Sequence, residues 1–305
     1  MLAYHYIEVI NMLINEVSKL TQLTKKAIEY YTLKGLISPS VLDNGYRQYS
    51  NQDIDTLNKI SVLRRLDIST EEIRHILNDT TNSALQTVSV KKELDYQRDM
   101  MKKSILQNLS EGKPYEEISA ELQAVEQGKT ITDKLLDAFP GYYGRFICMH
   151  FARFLNEPIQ SETQQSAYEI IISFLDNVPA LNIPKDLEDY LIESTSHIGT
   201  KQISEMLEST KKAYENPDGF LASNKEMLDQ YLEFKQSDEY KNSPACKLMV
   251  LMKKFNSSNG YYDVFIPAMK KLSSTYAEYY RQMEIANEKL LVQYPEIEKL
   301  NDQVK

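Results

Sequence analysis

The chain has 305 residues, 42% of them hydrophobic and 26% charged, enough to bury a core in one large domain or two to three small ones. A formal net charge of −9 excludes a uniformly basic nucleic-acid binder, and no apolar run approaches the roughly 18 residues that span a bilayer. The two cysteines, Cys148 and Cys246, form neither a disulfide framework nor a metal-knuckle spacing, so no metal and no cofactor is expected.

Residues 1–14 are apolar but carry Glu8 and lack a basic n-region and a small-residue cleavage site. That is not a signal-peptide pattern, so a cytoplasmic chain is expected. Met12 offers an internal start, which would make residues 1–11 an extension without an assigned role. Ile14, Val17 and Leu20 lie at i, i+3, i+6 and predict a short helix over 14–20. Thr24 is a good N-cap for a second helix over 25–34, with Gly35 placed to end it. Two short helices joined by a tight turn make a helix-turn-helix. Asn44-Gly45 between β-formers then predicts a hairpin wing.

Ser50 caps a third helix, with Asp53 in its first turn and Ile54, Leu57, Ile60 and residues 63–66 on its apolar face. Ser69 with Glu72 makes a capping box for a fourth, burying Ile73, Ile76 and Leu77. Residues 84–109 then read as one long polar helix with a thin stripe of Leu94, Met101, Ile105 and Leu109. A stripe that narrow suits a two-helix coiled coil, although the heptads are imperfect. Gly112-Lys113-Pro114 stops the helix, and a shorter one is expected over 115–127. From residue 129 to the end, amphipathic helices alternate with breaks at Pro140-Gly141, Pro158, Pro179, Pro184, Pro217, Pro244 and 257–260. The expected fold is mainly α: a winged helix-turn-helix domain over 1–80, a dimerisation helix and linker helix over 81–128, and an all-helical domain over 129–305.

The charge is unevenly spread. Between Val17 and Arg65 eight basic residues face four acidic ones, a local surplus of about four positive charges beside an acidic remainder. On the second helix Thr24, Lys25, Lys26 and Tyr30 share the side that would enter a major groove. Lys25 or Lys26 can reach a guanine edge, and the hydroxyls of Tyr30 and Tyr31 can donate to phosphates. In the wing, Tyr46 and Arg47 project from the turn, with Tyr49 beside them as a further candidate contact, and the Arg47 guanidinium matches phosphate geometry. Lys19 and Lys34 complete the candidate DNA-contacting set. Tyr30, Tyr31 and Tyr46 also suit the core of a small domain, Tyr31 most of all.

The ordered set Glu16-Val17-Ser18-Lys19-Leu20-Thr21, Ala27-Ile28-Glu29-Tyr30-Tyr31, Lys34-Gly35-Leu36-Ile37 and Asn44-Gly45-Tyr46-Arg47 followed by Tyr49-Ser50 resembles the MerR family of bacterial regulators. The resemblance covers the first quarter of the chain and, in kind, the long helix after it. It implies a homodimer, paired antiparallel through residues 84–109, that binds a pseudo-palindrome in promoter double-stranded DNA with an over-long spacer. The DNA would be bent and untwisted to bring the promoter elements into phase for RNA polymerase, so that readout works through deformation. Many relatives carry Arg where this chain has Val41 and Glu29, which makes this a less basic reader. Metal-sensing relatives place Cys near the start of the dimer helix and a Cys pair after it; this chain has no Cys before position 148.

The large helical domain resembles that of relatives that recognise organic molecules. Its candidate pocket residues are Tyr142, Tyr143, Phe146, His150 and Phe151, joined by Tyr261, Tyr262, Tyr276 and Tyr280, with Glu169 as a ligand acid. Aromatic walls with one acid suit hydrophobic or cationic organic ligands. The same rings at helical spacing also fill a core, and His150 suits a hydrogen-bonded interior position. The expected function is therefore an effector-responsive transcriptional activator of a multidrug or stress-response promoter. The alternative is the same DNA reader with a protein-interaction or structural module. No Ser/His/Asp, Cys/His or carboxylate-pair spacing points to an enzyme.

Overall fold

A computed structural model describes residues 12–298; the expected extension at 1–11 lies outside the described residues. The described residues are mainly helical with one two-stranded sheet, and the chain divides into two compact units between Val88 and Ser89. Among the described residues no helix is long and apolar enough to cross a membrane.

The first unit holds α1 (Ile14–Thr21), α2 (Lys25–Leu33), β1 (Ser40–Val41), β2 (Arg47–Gln48), α3 (Asn51–Arg65), α4 (Thr70–Asn78) and the start of α5 (Ser83–Ser110). Its helix ends are locally encoded. Thr24 Oγ1 accepts from Ala27 N at 3.2 Å, while Ser50–Asp53 and Ser69–Glu72 form reciprocal capping boxes. At the C-terminus of α2, Leu36 N donates to Tyr31 O at 3.0 Å and Gly35 N to Thr32 O at 2.9 Å. This is a Schellman motif, and its turning residue needs the positive φ of 68° that Gly35 supplies. Val17, Ile28, Leu57, Ile60 and Ile73 are fully buried and close the core, with Val88 of α5 beside them. Leu66, placed by periodicity on the inner face of the third helix, is the helix's C-cap and is exposed.

The wing differs from a two-residue Asn-Gly turn. Gly45 N donates to Leu42 O and Leu42 N to Tyr46 O, both at 2.8 Å, and only Gly45 of this loop has positive φ. The loop is thus a type I turn followed by a glycine bulge, which sets the register Val41 opposite Arg47 and Ser40 opposite Gln48.

In the second unit α6 (Tyr115–Ala138) runs back along α5 after a turn in which Lys113 pairs with Glu121. Here two expectations are corrected. The helix expected over 115–127 continues to Ala138, with Gly128 buried inside it where the chain passes close to Leu155. The stripe expected to meet a twin helix is covered within the chain. Met101, Ile105 and Leu109 pack against Ile118 and Val125 of α6, and Leu94 joins the main core. A narrow apolar stripe records that a helix has a neighbour, not whose chain supplies it.

The rest of the unit comprises α7 (Gly141–Ala152), α8 (Glu162–Asn177), α9 (Lys185–Thr195), α10 (Thr200–Glu215), α11 (Pro217–Ser223), α12 (Lys225–Gln236), α13 (Asp238–Asn242), α14 (Pro244–Ser258), a π-helical turn (Tyr261–Phe265), α15 (Ile266–Leu272) and α16 (Ser274–Gln293). The main core lies among α6, α7, α8, α15 and α16. At α16 the carboxylate of Glu157 caps the helix from outside it. It accepts from the Ser274 and Thr275 amides and from the hydroxyls of Ser273, Ser274 and Thr275, at 2.6–3.0 Å. Burial pushes this carboxyl up, but those hydrogen bonds outweigh it and hold it down at about 2.

Candidate nucleic-acid interface

Lys25 and Lys26 stand exposed on the first turn of α2, and Lys19 is exposed near the end of α1. The Thr24 hydroxyl accepts from the helix, which leaves its own proton free to be donated outward. Tyr30, 43% exposed, lies with its hydroxyl 3.4 Å from Thr70 Oγ1 of α4 and its ring under the Lys34 ammonium, 5.8 Å from the centroid. In the wing Tyr46 and Arg47 are both exposed. The unit therefore presents a helix pair and a wing, each carrying exposed cations and phenols, the arrangement a winged helix-turn-helix uses on a duplex.

Two of the candidate contacts belong to the core instead. Tyr49 is fully buried; its backbone pairs with Met12 at 2.9–3.0 Å, and burial pushes its phenol above its ordinary value. Tyr31 is also buried and meets Tyr30 edge-on at 5.6 Å. Tyr49 lies just past the end of β2, where its backbone pairs with Met12 and its ring enters the core, and Tyr31 lies one helical turn beyond the buried Ile28 on the same side of α2.

Sequence reasoning passes over the residues that aim α2. Arg74 of α4 donates to the carbonyl of Lys34 at 2.8 Å, and Thr70 meets Tyr30. Neither pairing has a local signal, since forty positions separate the partners. Exposed Lys59, Arg64 and Arg65 of α3 add to the positive charge of the unit, and the local charge surplus is the signal that reveals them.

The aromatic residues of the second unit pack on one another. Phe151 meets Phe265 at 5.0 Å, Tyr261 stacks on Phe265 at 5.5 Å, and Tyr276 contacts Phe151, Phe154 and Tyr280. Tyr142 and Phe146 lie against each other, Tyr143 meets Phe139 edge-on, and Tyr262 is exposed. His150 is wedged against Phe151, Phe154, Tyr276 and Tyr279, and burial, with Arg153 nearby, lowers it to about 4, so it is neutral near pH 7. Glu169 is exposed on α8 and accepts from Gln165 at 2.8 Å; it is no buried ligand acid. Two crevices open near this core, of about 10 and 50 Å³. None of these candidate residues lines either one, and both are far below the roughly 300–1,000 Å³ of a drug-sized site.

The geometry of the first unit defines a winged helix-turn-helix DNA-binding domain. Residues 12–80 match the family described as MerR HTH family regulatory protein, so this part of the chain is a MerR-type helix-turn-helix domain. Among similar proteins are the HTH-type transcriptional regulators CueR of Yersinia pestis (38% identical over 81 residues, 26% of this chain and 58% of the relative) and of Escherichia coli (34% over 82 residues, 27% and 61%). CueR of Vibrio cholerae is 42% identical over 67 residues, 22% of this chain and 48% of the relative. The chain thus spans about three-fifths of the length of the first of these relatives, and the family match ends at residue 80, before α5.

Proposed function

We propose that the protein is a transcriptional regulator that binds promoter DNA as a homodimer and acts by deforming an over-long spacer so that RNA polymerase can engage both promoter elements. The observation that carries this reading is the MerR-type domain at 12–80 with Lys25, Lys26, Tyr46 and Arg47 all exposed on it. In this reading Lys25 or Lys26 reads a base edge, and Tyr30, Lys34, Tyr46 and Arg47 hold phosphates. The dimer forms through α5, but not through the stripe at Leu94, Met101 and Ile105, which is occupied within the chain. The exposed Tyr96, Met100 and Leu106 supply the other face. Sequencing the DNA that the purified protein retains from its own genome tests the proposal. Recovery of short inverted repeats within promoters is expected, and recovery of DNA without any shared motif would refute it.

For the second unit, the ring-on-ring packing of the tyrosines favours a body that takes no drug-sized hydrophobic cation among them. A thermal-shift panel of such cations checks this: no stabilisation is expected, and a saturable rise with any member would restore the aromatic pocket.

A further inference from the structure

The larger crevice, of about 50 Å³, is walled by α5, α6 and the segment that follows α7. Three cations line it, Arg98, Lys129 and Arg153, and no carboxylate does. Arg98 and Thr132 form its buried base, while Lys129, Gln97 and Asn156 are exposed at its rim. Gly128 holds one wall close: a Cβ there would stand 2.5 Å from the Leu155 carbonyl.

The cations are only partly neutralised from outside. Arg98 donates to Asp95 at 2.8 Å and to Thr132 Oγ1 at 3.3 Å, and Asp133 lies 3.9 Å from Lys129. Arg153 donates to the His150 carbonyl at 3.4 Å, sits 3.3 Å from His150 Nδ1, and covers the Phe154 ring at 5.2 Å. Among the described residues it has no carboxylate partner. Two guanidiniums and an ammonium around one small opening repel one another, and an anion in that opening would relieve the repulsion. Guanidinium forks match the oxygens of carboxylate and phosphate.

We propose that this crevice binds a small oxyanion, a carboxylate or a phosphate group, held by Arg98 from the base and by Arg153 and Lys129 from the sides. Its volume admits a group of that size and excludes a drug-sized molecule. The partners come from positions 98, 129 and 153, so no spacing in the sequence brings them together.

The test is isothermal calorimetry on the full-length protein with sodium phosphate and with sodium acetate, at constant ionic strength and with sodium chloride as control. Saturable binding of at least one oxyanion, one per chain, is expected, and the tighter of the two identifies the headgroup. Arg153→Gln should weaken it about ten-fold or more, the loss expected for a charge-assisted hydrogen bond. Lys129→Gln, at the exposed rim, should weaken it less and leave the fold intact. Absence of saturable binding at tens of millimolar, an equal response to chloride, or unchanged affinity in Arg153→Gln would each overturn the proposal. No DNA enters the measurement, so this site stands or falls separately from the regulator reading.

Discussion

Arg47→Ala isolates what the wing contributes to DNA affinity. Arg47 is exposed on β2 opposite Val41, so its truncation should leave folding stability within about 0.5 kcal/mol. On DNA, each neutralised phosphate contributes about −0.9 to the slope of log affinity against log salt. A dimer that loses one such contact per protomer should show a slope shallower by about 1.8, so that a roughly four-fold rise in salt costs the wild type about ten-fold more affinity than the variant. Fluorescence anisotropy on a retained promoter fragment and on a scrambled duplex, across a salt series, gives both numbers. The loss should be the same on both duplexes, because a phosphate contact reads no sequence. Unchanged slopes, or a loss confined to the promoter fragment, would refute the phosphate role of Arg47.

Other outcomes follow from the same geometry. Lys25→Ala should relax base preference at one position of each half-site, measured by affinity across single-base variants of the fragment; a uniform loss would reassign Lys25 to phosphate. Met100→Glu should weaken the dimer in light scattering while circular dichroism stays unchanged, whereas Ile105→Glu should unfold the α5–α6 pair, since Met100 is exposed and Ile105 buried. Gly128→Ala should lower the melting temperature: helix propensity gains about 1 kcal/mol, but relieving a 2.5 Å approach to the Leu155 carbonyl costs more, a net loss of about 1–3 kcal/mol. The Glu157 carboxyl, held at about 2, contributes stability that is complete above its ordinary range near 4.5 and is lost as pH falls toward 2. Urea midpoints of the wild type and Glu157→Gln should therefore differ at pH 6 and converge near pH 2.

The parts of the molecule that could be read from the chain are those fixed within a few residues. Thr24, Ser50 and Ser69 announce helix starts because the cap lies next to the amides it satisfies, and Gly35 announces a stop because few other residues accept its φ. What escapes is pairing across distance. Ile105 reads the same whether its partner is Ile118 of its own chain or a residue of a twin, and Tyr276 reads the same as wall of a pocket or as filling. Arg47 and Tyr49 stand two positions apart, which strand alternation would place on one face, yet Arg47 is exposed and Tyr49 buried, because β2 ends at Gln48 and the alternation does not reach Tyr49. The helix expected over 115–127 runs on through Gly128, which is a point of close approach to the Leu155 carbonyl, a role no spacing in the sequence reveals.

The tie between α2 and α4 sets a rule for redesign. Because Arg74 holds the carbonyl that ends α2 and Thr70 meets Tyr30 on its flank, the angle at which Lys25 and Lys26 are offered is borrowed from another helix. Grafting residues 24–35 onto a different scaffold would carry the letters of recognition without their pitch. A transplant that includes Thr70 and Arg74 would keep both, and the smallest portable reading unit of this protein is accordingly a pair of helices forty positions apart.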